Sequence, residues 1–168
     1  MRLLVIRHGI AEEQETFART GQPDTERPLT KEGRRKMAEV ALGLHTLVPE
    51  LDRIASSPLV RAQQTAEIVA KAYGMDAVET TDALVPLAKP ALLARWAVPY
   101  AGSDVVAVVG HEPHLSTLVT WLLCGEDDSR IELKKGGACL LTCEGGPSRA
   151  GGVLLWLHTP ASLRRLGA

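Results

Sequence analysis

Aromatic residues are scarce in this chain. Phe, Tyr and Trp together make up 4% of it, with a single Phe. Stacking platforms for bases or sugars are therefore few. A surplus of one charge is also missing: 19 Lys+Arg stand against 20 Asp+Glu, a formal net charge of −1. A dedicated nucleic-acid binder carries a strong basic excess, so no nucleic-acid partner is expected, although a local basic pocket fits this balance. No apolar run approaches the roughly 20 residues of a membrane span. The N-terminus offers only the short stretch Leu3-Leu4-Val5-Ile6, too brief for a signal-peptide core. No membrane association, no export and a cytoplasmic location are the expectations. The three cysteines, Cys124, Cys139 and Cys143, are odd in number and sit in apolar surroundings, which predicts reduced, buried thiols. Neither common glycine signature of a nucleotide site occurs, and there is no internal repeat or low-complexity tract.

What is present is an ordinary globule of 168 residues, 45% hydrophobic and 23% charged, long enough to bury a real core. Strand and helix patterns alternate. Leu3–Ile6 reads as a buried strand, and the polar stretch Ile10–Arg27 as a loop. Thr30 predicts an N-cap for a helix whose apolar positions Met37, Val40, Ala41, Leu44 and Val48 follow the helical spacing, stopped by Pro49. Asp52–Ser56 is a second strand. Ser57-Pro58 predicts the start of a helix that carries Leu59, Ala62, Ala66 and Val69 on one side and ends near Gly74. A third strand is expected over Asp76–Thr80 and a short helix over Pro90–Ala97. Asp104–Val109 is the clearest buried strand, followed by a helix from Pro113 to about Cys124. Ala138–Cys143 and Val153–His158 close the pattern as a hairpin across the glycine-rich Glu144–Gly152. This predicts an α/β fold: a largely parallel sheet between helices, with antiparallel character at its C-terminal side.

Open sheets of this kind bind ligands beyond the carboxyl ends of their strands. Three strand ends here deliver cations or imidazoles. The first is followed by Arg7-His8-Gly9, the second by Ser56 to Arg61, and the Val-rich one by Gly110-His111-Glu112-Pro113-His114. Taken singly, each has a bland reading as a surface arginine or a core histidine. Their convergence points instead to a phosphoryl pocket. Arg7 and Arg61 supply guanidinium forks for phosphate oxygens. The helix N-terminus before Arg61 adds its own preference for anions. His111 is a third donor when protonated. His8 is left as the nucleophile, a neutral imidazole held in one tautomer by a hydrogen bond from its other nitrogen to a carbonyl. Cations in these places neutralise a transferring phosphoryl group, so no metal and no cofactor is required.

His111-Glu112-Pro113-His114 has a competing reading as a metal site. Its spacing is not the i, i+4 pair of a zinc helix, and Pro113 interrupts the helix such a pair needs. Cys139 and Cys143 fall on one strand face without a second ligand pair, which favours packing over zinc. His45 and His158 have no evident partner.

Arg7-His8-Gly9 after an N-terminal strand resembles the signature of the histidine phosphatase superfamily, which includes phosphoglycerate-mutase-like enzymes. Arg27-Pro28-Leu29-Thr30-Lys31-Glu32-Gly33, the block from Ser56 to Ala66, and the block from Val109 to Ser116 are similar to the small SixA-type phosphohistidine phosphatases. The resemblance runs from residue 1 to about 158. It implies one domain over residues 1–168 and a three-layer α/β/α sandwich. It also implies that His8 is phosphorylated, Arg7 and Arg61 bind phosphate, and His111 is the second pocket histidine. Many relatives carry an acidic proton donor between the second helix and the fourth strand. Asp82 is the positional match here, with Glu12 and Glu112 as the other candidates. The implied substrate is a phosphohistidine on a partner protein, and the expected state a monomer or weak oligomer. A small-molecule phosphomonoesterase and a non-catalytic phosphate-binding module are the alternatives.

Overall fold

Leu3, Leu4, Val5 and Ile6 expose no surface because their strand lies inside a six-stranded sheet, paired on both sides. The computed structural model describes residues 1–168. In chain order the elements are β1 (Arg2–Arg7), α1 (Gln14–Ala18), α2 (Lys31–Leu47), β2 (Arg53–Ser56), α3 (Val60–Ala72), β3 (Glu79–Thr80), α4 (Pro90–Ala97), β4 (Val105–Gly110), α5 (His114–Cys124), β5 (Ala138–Cys143), β6 (Gly152–His158) and α6 (Pro160–Leu166). The strand order is β3-β2-β4-β1-β5-β6. The pairs β1–β4, β2–β4 and β2–β3 are parallel. The pairs β1–β5 and β5–β6 are antiparallel. The expected mostly parallel sheet with a C-terminal hairpin is thus the observed one.

Alternation along the strands sends side chains into two separate cores. On one face Leu4, Ile6, Ala107, Val109 and Leu140 meet α2, α3 and α6 through Met37, Leu44, Ala66 and Leu163. On the other, Leu3, Val5, Val106, Val108 and Leu141 meet α4 and α5 through Leu93, Leu115, Leu118 and Leu122. The result is the three-layer α/β/α sandwich. Cys139 and Cys143 are buried in this second core. Cys124 departs from expectation: it ends α5 on the exposed side, its thiol 3.2 Å from the Thr120 carbonyl oxygen. No helix is long and apolar enough to cross a membrane.

Several boundaries differ from those the sequence suggests. The stretch Ile10–Arg27 holds α1 and a 3-10 turn at Asp24–Glu26. Glu13 caps α1 by accepting from the Thr16 N–H at 3.3 Å, and Phe17 anchors it. Helix α3 starts at Val60, with Leu59 at the cap; the Ser57 hydroxyl accepts from Leu59 N–H at 3.3 Å just ahead of it. Strand β3 keeps only Glu79 and Thr80 of the expected run, where β2 pairs with it. Helix α6 lies beyond the predicted elements. Its start carries a Thr159 cap, accepting from Ser162 N–H at 3.2 Å, and Pro160 at the first turn, a signal as strong as any in the chain. A Cβ on Gly43 would stand 1.9 Å from the Leu163 carbonyl oxygen, so only glycine lets α2 and α6 approach this closely.

Candidate active site

The turn after β1 is pinned from three sides. His8 N–H donates to the Gly110 carbonyl at the end of β4 (3.0 Å), and Gly136 N–H donates to the carbonyls of both Arg7 and His8 (3.1 and 3.0 Å). Gly9 N–H donates to Thr65 Oγ1 on α3 at 3.0 Å, and that hydroxyl donates on to the Arg61 carbonyl at 2.8 Å. Gly9 is required by packing: a Cβ there would stand 2.5 Å from Met37 Cγ.

His8 is 6% exposed. Its Nδ1 lies 2.7 Å from the Gly9 carbonyl oxygen. A carbonyl only accepts, so Nδ1 carries the proton and Nε2 keeps its lone pair. Burial pushes the His8 pKa down to about 3; the Gly9 hydrogen bond opposes this, while the charges of Arg61, Arg7 and Lys135 reinforce it. The ring is therefore neutral at ordinary pH.

The His111 ring lies 5.0 Å from that of His8, centroid to centroid. Its Nε2 is 2.8 Å from Ser57 Oγ. That hydroxyl also accepts from Leu59 N–H at 3.3 Å; with one proton to give and two lone pairs, it holds the His111 ring in place in either tautomer. Burial, with smaller contributions from His8, Arg61 and His114, lowers the His111 pKa to about 2. A neutral imidazole still carries one N–H, on either ring nitrogen.

The arginine forks are partly occupied. Arg7 Nη1 donates to the Leu133 carbonyl at 2.6 Å. Arg61 is 5% exposed; its Nη1 donates to the Asp24 carbonyl at 2.9 Å and its Nη2 pairs with Asp24 Oδ2 at 3.1 Å. Asp24 also holds Arg27 Nε at 2.7 Å. Desolvation raises the Asp24 pKa, but the Arg27 hydrogen bond and the charges of Arg61 and Arg27 outweigh it and leave it below its ordinary value. What remains free is telling: Arg7 Nε, Arg61 Nε and His111 Nδ1 are all buried without a partner.

These groups line one cleft of about 840 Å³ that includes Arg7, His8, Arg61 and His111. The structure thus brings together all four residues singled out from the sequence. Of the acid candidates, Glu12 and Glu112 line the cleft and Asp82 does not; Asp82 is exposed in a 3-10 turn after β3. Sequence reasoning missed Asp24, Arg27 and Lys135, which also line it, and the role of Ser57. The block beginning at Arg27 was the only signal for any of them. No group of three or more His, Cys, Asp and Glu side chains is placed to hold a metal ion. Both ring nitrogens of His114 are buried without partners. His45 is exposed, its ring edge-on to Tyr73, and His158 Nδ1 lies 3.0 Å from Ser162 Oγ.

A model of the histidine phosphatase superfamily (branch 1) matches residues 3–85. An uncharacterized protein of Picosynechococcus sp. is 34% identical over 167 residues, covering 97% of this chain and 93% of its own. The chain belongs to the histidine phosphatase superfamily. Within that superfamily it is similar to the phosphohistidine phosphatase SixA of Escherichia coli, at 27% identity over 167 residues, 98% of this chain and 97% of the relative. The solved structure of the protein histidine phosphatase SixA with tungstate matches with a TM-score of 0.83 at 25% identity, over 97% of this chain and 99% of that one. A phosphoserine phosphatase of Entamoeba histolytica shares the fold, with a TM-score of 0.71 at 18% identity, over 95% and 97% of the two chains. Membership of this superfamily supports a hydrolase acting on phosphate monoesters.

Proposed function

We propose that this protein is a metal-independent phosphatase that removes the phosphoryl group from a phosphohistidine side chain of a partner protein, through a covalent intermediate on His8. The observation that carries this reading is the set of unpartnered polar nitrogens in a cleft that holds a tied imidazole. Arg7 Nε, Arg61 Nε and His111 Nδ1 are buried and unpartnered beside a histidine whose Nδ1 is bound to the Gly9 carbonyl. Buried polar nitrogens without partners are costly, and in this reading the oxygens of a bound phosphoryl group relieve that cost at the two guanidinium groups. In this reading His8 Nε2 attacks phosphorus, and the donors hold the oxygens on which charge accumulates. The partner's imidazole departs, taking the electron pair of the breaking P–N bond. Water then attacks the phosphorus on His8, releasing phosphate and restoring the ring.

Two features favour a protein substrate. The similarity to SixA spans nearly the whole chain. Among the residues lining the cleft, Ile10, Ala11 and Pro86 are the only apolar ones. Such a lining offers little apolar surface to grip a free metabolite, which pockets for small molecules usually supply. A side chain presented by a folded partner needs no such grip.

The test is rapid quench with a labelled phosphohistidine protein, followed by mapping of the acid-labile label. Label on His8, absent in His8→Ala with loss of turnover, is the expected result. Full turnover by His8→Ala would sink the assignment. Comparison of kcat/KM on that protein with kcat/KM on sugar phosphates tests the substrate; equal or better efficiency on a sugar phosphate overturns the phosphohistidine reading.

A further inference from the structure

We propose that Lys135 makes this site selective for substrates that carry a carboxylate beside the phosphoryl group, which in a protein substrate is an Asp or Glu side chain close to the phosphohistidine. The protein form of this selectivity rests on the phosphohistidine reading above.

Arg7, Arg27, Arg61 and Lys135 are the Lys and Arg side chains that line the cleft. The three arginines are tied. Arg7 Nη1 donates to the Leu133 carbonyl, and Arg61 pairs with Asp24. Arg27 holds Asp24 through Nε at 2.7 Å and donates from Nη1 to the Glu12 carbonyl, also at 2.7 Å. Lys135 is exposed and enters none of the ion pairs of the molecule. Its neighbour Lys134 shows the contrast, paired with Glu132 at 2.6 Å.

An unpaired lysine is usually a solvated one, but the backbone that carries Lys135 is strapped to the reacting turn. Gly136 N–H donates to the carbonyls of Arg7 and His8, and Arg7 N–H donates to the Gly137 carbonyl at 3.0 Å. Gly137 N–H closes the turn onto the Lys134 carbonyl at 2.7 Å. Gly136 has φ +78°, a left-handed conformation that suits glycine. The base of Lys135 is thus fixed relative to His8, while its flexible stem leaves the ammonium free to move. The charge of Lys135 is also felt at His8, where it adds to the effect of burial in keeping the ring neutral.

The cations of the cleft therefore divide by burial. In the reading above Arg7 and Arg61, with buried and unpartnered Nε atoms, meet the charge of the phosphoryl group. Lys135 is left for negative charge that lies further out. An ammonium is a compact point charge without a planar fork, suited to one carboxylate whose position varies between substrates. The carboxylates of the cleft leave it unclaimed. Asp24 is committed to two arginines, Glu13 caps α1, and Glu112 Oε2 is bonded to Ser116. Glu12 is exposed and in no ion pair, so a substrate carboxylate is drawn to Lys135 and kept from Glu12.

The experiment measures inhibition of p-nitrophenyl phosphate hydrolysis by 3-phosphonopropionate and by propylphosphonate, which differ in a carboxylate against a methyl group. Wild type should bind the carboxylate form about fivefold more tightly, the upper range for an exposed ion pair. The ratio should shrink in about 0.5 M salt. Lys135→Met should bring the ratio to unity, Lys135→Glu should invert it and Lys135→Arg should keep it. Any cost that a substitution imposes on all ligands cancels in this ratio. A wild-type ratio of unity, or one that Lys135→Met leaves unchanged, overturns the proposal. So does an equal loss for both inhibitors, because Lys135 then holds phosphoryl oxygens.

A second arm compares kcat/KM on phosphohistidine peptides whose histidine is flanked by Glu or by Ala. A similar preference for the Glu peptide, lost in Lys135→Met, is expected. Equal rates on the two peptides overturn the protein form. Hydrolysis of neither peptide, with the inhibitor ratio intact, supports carboxylate selectivity and overturns the phosphohistidine reading instead, so the two failures are told apart.

Discussion

Ser57 and His111 stand 54 positions apart in the chain and 2.8 Å apart in space, hydroxyl oxygen to Nε2. One follows β2 and the other β4, two strands that pair in parallel. The hydroxyl ties the Nε2 edge of His111 and leaves Nδ1 without a partner. A residue that resembles a helix cap in the sequence thus orients a pocket histidine in the fold.

Ser57→Ala should release that ring. Turnover is expected to fall on the order of tenfold, with a stability loss of about 1–3 kcal/mol from the stranded Nε2. Steady-state kinetics with urea denaturation checks both. Unchanged turnover would show that the tie between Ser57 and His111 is not needed.

Arg61→Ala should damage catalysis far more than folding. A donor to the developing charge is worth about a hundredfold or more in rate. Its partner Asp24 has a side chain 45% exposed, so the orphaned carboxylate returns to water at little cost. The expected outcome is a near wild-type melting temperature with collapsed kcat. A sharp fall in melting temperature with surviving specific activity would make Arg61 structural.

Asp24→Asn should strengthen anion binding. The carboxylate lies 3.1 Å from Arg61 Nη2 and 2.7 Å from Arg27 Nε, on the cations an incoming phosphoryl group needs. Removing its charge removes both competition and like-charge repulsion, an effect on the order of tenfold. The readout is inhibition by inorganic phosphate at fixed salt. Weaker inhibition would mean that Asp24 serves to aim Arg61.

Stability should fall on the acid side. Burial lowers His8 to about 3, His111 to about 2 and His114 to about 4, from 6.5. As pH drops below 6.5 the unfolded chain takes up these protons first. The stability these groups contribute is whole above that value and is lost as pH falls towards their folded pKa values, at up to about 1.4 kcal/mol per pH unit for each. Glu112, raised by burial, works in the opposite sense, but one carboxyl is outweighed by three imidazoles. Urea midpoints between about pH 7 and about pH 5 measure this; a flat profile would show these rings titrating normally.

The sequence makes the sheet and four cleft residues legible because both depend on local pattern. Val105 to Val109 reads as a buried strand from composition alone, and the residues after strand ends fall where ligands bind. What escaped reading depends on contacts between distant segments. Asp24 sits in a polar stretch whose only regular cue is the Glu13 cap, and its tie to Arg61 spans 37 positions. Ser57 carries a cap signature and keeps a bond to Leu59 N–H, but its second contact, with His111 54 positions away, has no local cue. The burial of Glu112 beside Arg7 has no sequence cue at all. Helix α6 differs: Thr159-Pro160 announces it, and its apolar anchor Leu163 lies past the last stretch that the family resemblance covers.

Strand β1 is clasped by β4 on one side and β5 on the other, and the residue that follows it is His8. The amides of Leu3 to Ile6 should therefore be among the last to exchange with deuterium, opening only when the whole molecule does. The reacting imidazole is attached to the most durable part of the architecture. The stretch bearing Asp24 and Arg27 has far fewer backbone ties and should exchange early. Heat or denaturant should then blunt the recognition of an incoming phosphoryl group before it disturbs the atom that attacks it.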